Sequence, residues 1–227
     1  MGHRAELLVG AKRCLVEKGY ARTTSRDIVA ASGTNLASIG YHYGSKEALL
    51  NEALISAFQD IGEELAATLV NDVEPGAAPI ERFEMIWTRI IEQFTTHRQL
   101  YRASFEVFAQ SDRAPEVRAA LATGMQQGRQ GLAYLFRALS ETGADDDPGT
   151  AQAVGSFYQA LLTGLMVQWM VDPDHSPDGA RITRALRIIA AWHFPPSGRD
   201  ATSDPVSGLP GQPGPRRHPR DGARPLG

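Results

Sequence analysis

The chain has 227 residues, 42% of them hydrophobic, with a net charge of −3. That is length enough for one or two globular domains with a real core. Its single cysteine, Cys14, excludes an intrachain disulfide and a cysteine-based zinc site. The charge is uneven. Residues 1–50 carry seven lysines and arginines against four acidic side chains, and residues 195–227 carry five arginines against three aspartates, so residues 51–194 hold the compensating −8. A basic head on an acidic body points to an anionic partner for the head.

Apolar spacing is helical nearly throughout, and no stretch alternates as a strand does, which predicts an all-α fold of about nine helices. The first helix, about 4–18, aligns Leu8, Ala11 and Leu15 on one face, places Cys14 on the same stripe as a buried thiol, and stops at Gly19. Thr24 followed by Asp27 announces a second helix, about 25–32, through a variant capping box; Gly33 ends it. Asn35 caps a short third helix, about 35–42. Ser45 then caps a long fourth, in which Leu50, Leu54, Ala57, Ile61, Leu65 and Leu69 recur every three or four residues.

Pro79 fits the first turn of a fifth helix, about 79–96, and a sixth runs about 98–110. The seventh, about 115–140, contains Gly124, Gly128 and Gly131, whose spacing suits a kink, a close helix crossing or a ligand against backbone. "GADDDPG" separates it from the eighth, about 150–171, where Gly155 and Gly164 permit close approach. Ser176 and Pro177 form a cap and first-turn pair for the ninth, which ends near Trp192. From Pro195 onward the chain is rich in proline and glycine and nearly without apolar residues, the composition of a disordered tail. The greasiest run, residues 160–171, is shorter than the roughly 20 residues a bilayer requires, and no signal peptide opens the chain. These features predict a soluble, cytoplasmic protein without a membrane partner.

Two short helices about the Gly33–Thr34 turn, buttressed by a first, make a helix-turn-helix. In that motif the second short helix enters the major groove of DNA. The stretch "SIGYHYGSKEALL" then has a role. Tyr41 and His42 close the third helix, beside the phosphates, and Ser45, Lys46 and the free amides of the fourth helix form a phosphate cradle. Tyr43, one turn after Ile39, is predicted to pack against the first helix, and Gly40 to allow a close approach to groove floor or first helix.

"TTSRDIVAASGTNLASIGYHYGSKEALL" resembles the DNA-binding signature of the TetR family of transcriptional repressors, over about residues 5–55. The resemblance implies Thr34, Asn35, Leu36, Ala37 and Ser38 on the base side, and Tyr41, His42 and Lys46 on the backbone side. It also implies Thr24 and Ser25 near phosphate. Leu36 and Gly40 depart from the family, which often has lysine and a large residue there, leaving a small, partly apolar reading surface.

The same resemblance implies a three-helix head over 1–45, a regulatory and dimerisation body over 46–194 and the tail over 195–227. The expected partners are double-stranded operator DNA, a small and mostly apolar effector, and a second copy of the chain. That copy would pair through helices about 150–171 and 178–192, using faces such as Val154, Tyr158, Leu161, Leu165 and Trp169, with Ile182, Leu186 and Ile189. Trp87, Phe94, Phe105, Phe108 and Tyr158 are expected to wall the effector cavity. Gln93, His97, Arg102, Glu106 and Gln159 supply polar contacts there. No cofactor is expected. The scattered histidines lack metal-ligand spacing, and no HExxH, phosphate loop or GxSxG elbow occurs, which argues against an enzyme. The competing reading is a helical sensor or carrier whose head no longer binds specific DNA.

Overall fold

The computed structural model describes residues 2–72, 74, 76–109, 115–138 and 147–194. Nine helices and no strand lie among those described residues: α1 (His3–Lys18), α2 (Ser25–Ser32), α3 (Leu36–Tyr43), α4 (Lys46–Asp72), α5 (Pro79–Thr96), α6 (Arg98–Phe108), α7 (Pro115–Ala138), α8 (Pro148–Val171) and α9 (Gly179–His193). The predicted tail over 195–227 and most of the "GADDDPG" connection lie outside the described residues. Among the described residues no helix is long and apolar enough to cross a membrane.

Local chemistry sets the helix ends. The Thr24 hydroxyl accepts from the Asp27 amide while the Asp27 carboxylate accepts from the Thr24 amide, completing the predicted capping box of α2. Gly33 closes α2 in the left-handed region at φ 70°, where a side chain is strained. Asn35 caps α3 by accepting from the Ser38 amide, and the Ser45 hydroxyl accepts from the Ala48 amide to start α4. Pro79 stands in the first turn of α5 as expected. The predicted start of α9 is corrected. Its N-cap is Asp178, accepting from the Arg181 amide at 2.8 Å, rather than Ser176, because a carboxylate two residues on offers the stronger acceptor.

Two apolar cores share α4. The first gathers Leu7, Ala11, Cys14 and Leu15 of α1, Ile28 of α2 and Ile39 of α3. It also takes Leu49 to Ile61 of α4, and Leu100, Ala103, Val107 and Val117 from α6 and α7. The inward face of α1 is thus Leu7, Ala11 and Leu15; Leu8 is only partly buried. The second core holds Leu65 and Leu69 of α4 with residues of α5 to α9. Apolar burial, the term that dominates folding, therefore joins α1 to α3 to the rest of the chain through α4 and through the α6 and α7 residues of the first core.

Glycine decides where backbones touch. A methyl at Gly10 would meet Ser32 at 2.8 Å, so α1 and α2 pack nearly backbone to backbone, a contact the sequence did not signal. Gly155 brings α8 against α7, within 2.2 Å of the Arg129 carbonyl oxygen for an added Cβ. Gly164 and Gly131 have nothing within 4 Å, while Gly124 faces Ile55 and Gly128 faces the Gln159 side chain, so the three glycines of α7 do not share one purpose.

Candidate nucleic-acid interface

The outer face of α3 consists of Leu36, Ala37, Gly40 and Tyr41, one helical stripe that is exposed throughout. Leu36 is 52% and Tyr41 85% exposed, on a helix of eight residues whose opposite side is buried. Asn35 sits beside them with its carbonyl oxygen taken up by the Ser38 amide (3.0 Å) and hydroxyl (3.2 Å), which leaves its amide nitrogen outward. Ser38 itself is corrected. It is 8% exposed, and its hydroxyl lies between Asn35 and the His3 ring at 3.4 Å. One residue before core Ile39, it belongs to the inward face. Thr34 is half-buried, its hydroxyl 2.8 Å from that of Ser32, and holds the turn.

Gly40 is corrected in part: apart from its chain neighbours and its own helix backbone, no described atom lies within 4 Å of where its Cβ would be, so it makes no close approach to α1. Its bare backbone opens outward in the middle of the exposed stripe.

At the end of α3, Tyr41 and His42 meet edge to face at 4.8 Å. Tyr43 turns inward as predicted, donating to the Arg4 carbonyl at 2.7 Å beneath the Arg4 guanidinium. The Lys46 ammonium donates to the Thr23 carbonyl at 3.1 Å and lies 3.3 Å from Glu47. It ties the α1–α2 connection to α4 and is less available than the sequence implies. The Thr24 hydroxyl is similarly engaged with Asp27, and Ser25 is half-buried in the first turn of α2.

Several head cations are already paired: Arg4 with Glu52 at 2.9 Å, Lys12 with Asp60 at 2.6 Å and Lys18 with Asp27. Among the described residues Arg22 donates only to the Lys18 carbonyl and exposed Arg26 forms no ion pair. These two arginines flank the start of α2 and were missed in the sequence. The available signal was a cation on either side of the capping residue Thr24.

The Asp27 carboxyl is held well below the usual carboxylate range, first by the Lys18 ammonium and then by the Thr24 hydroxyl and amide. A carboxyl more acidic when folded stabilises the head above its unfolded pKa of about 4. That contribution is lost as the pH falls below this value. The Asp27→Asn variant is therefore expected to lose stability near neutrality and to show a flatter acid limb, read by thermal melts between pH 2 and 7.

In the body, Trp87, Phe94 and Tyr158 converge. Tyr158 stacks on Phe136 at 3.8 Å, Trp87 lies 5.6 Å from Phe136, and Phe94 meets Tyr101 at 5.0 Å and Trp169 at 5.9 Å. Trp87 is fully buried, and its indole nitrogen has no hydrogen-bond partner among the described residues. Burial pushes the Tyr158 hydroxyl pKa up. Phe105 and Phe108 lie together on α6 at 6.3 Å, both half-buried, and only Phe105 packs against this core. Gln159 donates to Thr163 at 3.4 Å and covers Gly128. A cleft of about 560 Å³ lies between α1, α4 and α7, and none of the ten residues expected at the effector lines it. Glu106 reaches out of the body: its carboxylate accepts from the Ala21 amide of the α1–α2 connection at 2.8 Å.

Outside α3, exposed apolar side chains gather on α8 and α9, where Val154, Phe157, Val167 and Val171 are exposed with Ile188, Ile189 and Trp192; Val9 and Val16 of α1 and Tyr134 of α7 are exposed elsewhere. Of the faces expected in the sequence, Val154 and Ile189 are exposed, whereas Tyr158, Leu161, Leu165, Trp169, Ile182 and Leu186 pack inward on the second core. α8 is apolar on both sides, so periodicity alone does not choose the outward one.

A helix-turn-helix head with an exposed reading helix, fused through α4 to an all-helical body, defines a bacterial-type transcriptional regulator. Residues 7–53 match the model for bacterial regulatory proteins of the tetR family, and residues 79–192 match that for the C-terminal region of BetI-type transcriptional repressors. The chain belongs to the TetR family. It is similar to the HTH-type transcriptional repressor KstR2 of Mycobacterium tuberculosis, with 26% identity over 186 residues, covering 71% of this chain and 91% of that one. The HTH-type transcriptional repressor AcnR of Corynebacterium efficiens is 44% identical over 46 residues, so the chain spans only 24% of that relative's length. A TetR-family regulator from Rhodococcus shares the fold, with a TM-score of 0.61 at 18% identity over 83% of this chain and 99% of that one.

Proposed function

We propose that the chain is a ligand-responsive transcriptional repressor that binds a pseudo-palindromic operator as a homodimer and is released by a small, mostly apolar effector. The observation that supports this best is the outward stripe Leu36, Ala37, Gly40 and Tyr41 on the second helix of the motif. Leu36 and Ala37 suit thymine methyls, and the Asn35 amide suits a base-edge acceptor. Tyr41, His42, Ser25 and the exposed Arg22 and Arg26 suit phosphates, which set register without reading sequence. Lys46 and Thr24 serve these groups chiefly by holding the α2 and α4 starts in place.

The exposed apolar stripe of α8 and α9 suits an isologous two-fold contact, the symmetry that a palindromic operator demands. The effector enters among Trp87, Phe136 and Tyr158 by prising apart side chains that fill the site when empty. The displacement reaches the head by two physical links, α4 and the Glu106–Ala21 hydrogen bond. Coupling of about 1–3 kcal/mol changes operator affinity roughly 5- to 150-fold.

Selection of random duplexes by the purified chain at near-physiological salt tests the reading. An inverted repeat with half-sites about one helical turn apart is expected. Against that repeat, Tyr41→Phe and Arg26→Ala are expected to weaken specific and non-specific binding together, with a shallower salt dependence for Arg26→Ala. Leu36→Ala is expected to change the preferred sequence instead. Only salt-sensitive, unspecific binding would transfer support to a sensor whose head no longer reads DNA.

A further inference from the structure

Three side chains in line connect the start of α1 to the reading end of α3. The Asn35 carbonyl oxygen accepts from the Ser38 amide at 3.0 Å and from the Ser38 hydroxyl at 3.2 Å, and that hydroxyl oxygen lies 3.4 Å from Nδ1 of His3. The Ser38 amide decides which way Asn35 is turned, because a side-chain NH2 in the same place would set donor against donor. A carbonyl oxygen has two lone pairs, and Ser38 takes both. Exposed Asn35 therefore presents its N–H pair alone to the outside.

A serine hydroxyl has one hydrogen, and here it goes to Asn35. Toward His3 the Ser38 oxygen can then only accept, which requires the hydrogen of the imidazole to stand on Nδ1. A bare Nδ1 would instead compete with Asn35 for the single hydroxyl hydrogen. Two features hold the line in place. Ser38 is buried, so water does not compete for its hydroxyl. The carbonyl of Arg4, next to His3, accepts from the Tyr43 hydroxyl at 2.7 Å and pins the start of α1 to the end of α3.

We propose that His3 is a positioning residue for sequence reading: through Ser38 it holds Asn35 as a donor-only reader, whose base is guanine, with thymine next. The proposal rests on the operator-binding reading and adds the polarity of one contact to it. In the major groove guanine offers two neighbouring acceptors, O6 and N7, and thymine offers O4. The bidentate match of asparagine to adenine needs the carbonyl oxygen that Ser38 occupies, and cytosine shows a donor to a donor. His3 stands 35 residues before Ser38, so the polarity of Asn35 is set from another helix.

Two measurements test it. Long-range proton–nitrogen NMR spectra of the full chain without DNA, at a pH of about 8.5 where a free imidazole is neutral, read the His3 tautomer. Nδ1–H is expected in the parent, giving way to Nε2–H in Ser38→Ala. Selection on random duplexes with the parent and with Asn35→Ala then locates the base that Asn35 reads, as the position whose preference flattens. Guanine or thymine is expected there. His3→Ala should cut discrimination at that position alone about fivefold, the scale of one neutral hydrogen bond. His3→Asn, whose side-chain N–H can stand where Nδ1–H stood, should restore it. His3 is exposed, so both variants should keep the parent's thermal melt, and a lost preference is then not a lost fold. Adenine at that position, no position that flattens, or equal discrimination in His3→Ala and the parent overturns the proposal. So does equal loss in His3→Ala and His3→Asn. A selected motif with Nε2–H in the parent overturns the proposal and spares the operator reading; Nδ1–H with no motif selected overturns the operator reading and the reading role of His3 with it.

Discussion

Replacing Trp87 with alanine is expected to destabilise the protein by about 3–5 kcal/mol, the cost of emptying a large aromatic site in a packed core. Trp87 is fully buried and lies within 6.2 Å of Phe83 and Tyr158 and 5.6 Å of Phe136, so one truncation removes the centre of the second core. Denaturant titration followed by circular dichroism reads the loss. Trp87→Phe separates the packing contribution from the polar one. Phenylalanine keeps most of the apolar surface and deletes the indole N–H, which is buried without an acceptor among the described residues, a state that costs about 1–3 kcal/mol. The phenylalanine variant is therefore expected to be far closer to the parent in stability. An effector that accepts from that nitrogen should bind it more weakly. Equal destabilisation by both substitutions would show that the ring contacts of Trp87 are not what holds the body together.

The second large effect concerns one substitution at two glycines. Gly155→Ala is expected to destabilise by about 1–3 kcal/mol, because its methyl would stand 2.2 Å from the Arg129 carbonyl oxygen and 3.2 Å from the Ala133 Cβ. Backbone, not a flexible side-chain tip, must move, and α7 and α8 would separate. Gly40→Ala is expected to do the reverse. Beyond its own helix backbone and chain neighbours, no described atom lies within 4 Å of that methyl, and alanine is favoured over glycine inside a helix by about 0.5–1 kcal/mol. The same methyl projects from the exposed stripe of α3, so operator affinity should fall as stability rises. Thermal melts and operator titrations on the two variants check this pair. A stabilised Gly40→Ala chain with unchanged DNA binding would remove Gly40 from the interface.

The contrast between these glycines also marks what a sequence can carry. Both interrupt helical patterns and look alike in one dimension; whether a neighbour stands 2 Å away is a property of packing. Ser38 is a similar case. Its spacing from the Gly33–Thr34 turn resembles that of a base-reading residue, yet its side chain turns inward next to Ile39 and meets Asn35 and His3. A helix of two turns has too few residues for its hydrophobic pattern to define the inward face to within one position.

Helix number, the Thr24–Asp27 capping box, the Asn35 and Ser45 caps and the turn at Gly33 are all determined by the sequence, because each is a contact among residues at most four apart. The helix-turn-helix follows from them, since its order and spacing are local too. Tertiary structure alone decided the rest. The pairing of Lys18 with Asp27 and Arg4 with Glu52, which leaves Arg26 as an unpaired head cation among the described residues, depends on elements meeting in space. So does the inward orientation of Tyr158, Leu165 and Trp169 on a helix that is apolar on both sides. The Glu106–Ala21 link spans 85 residues, and the cleft between α1, α4 and α7 is the space left where three helices fail to close. Periodicity states that a side chain is apolar or charged and on which turn it falls; only the packed chain states what it faces.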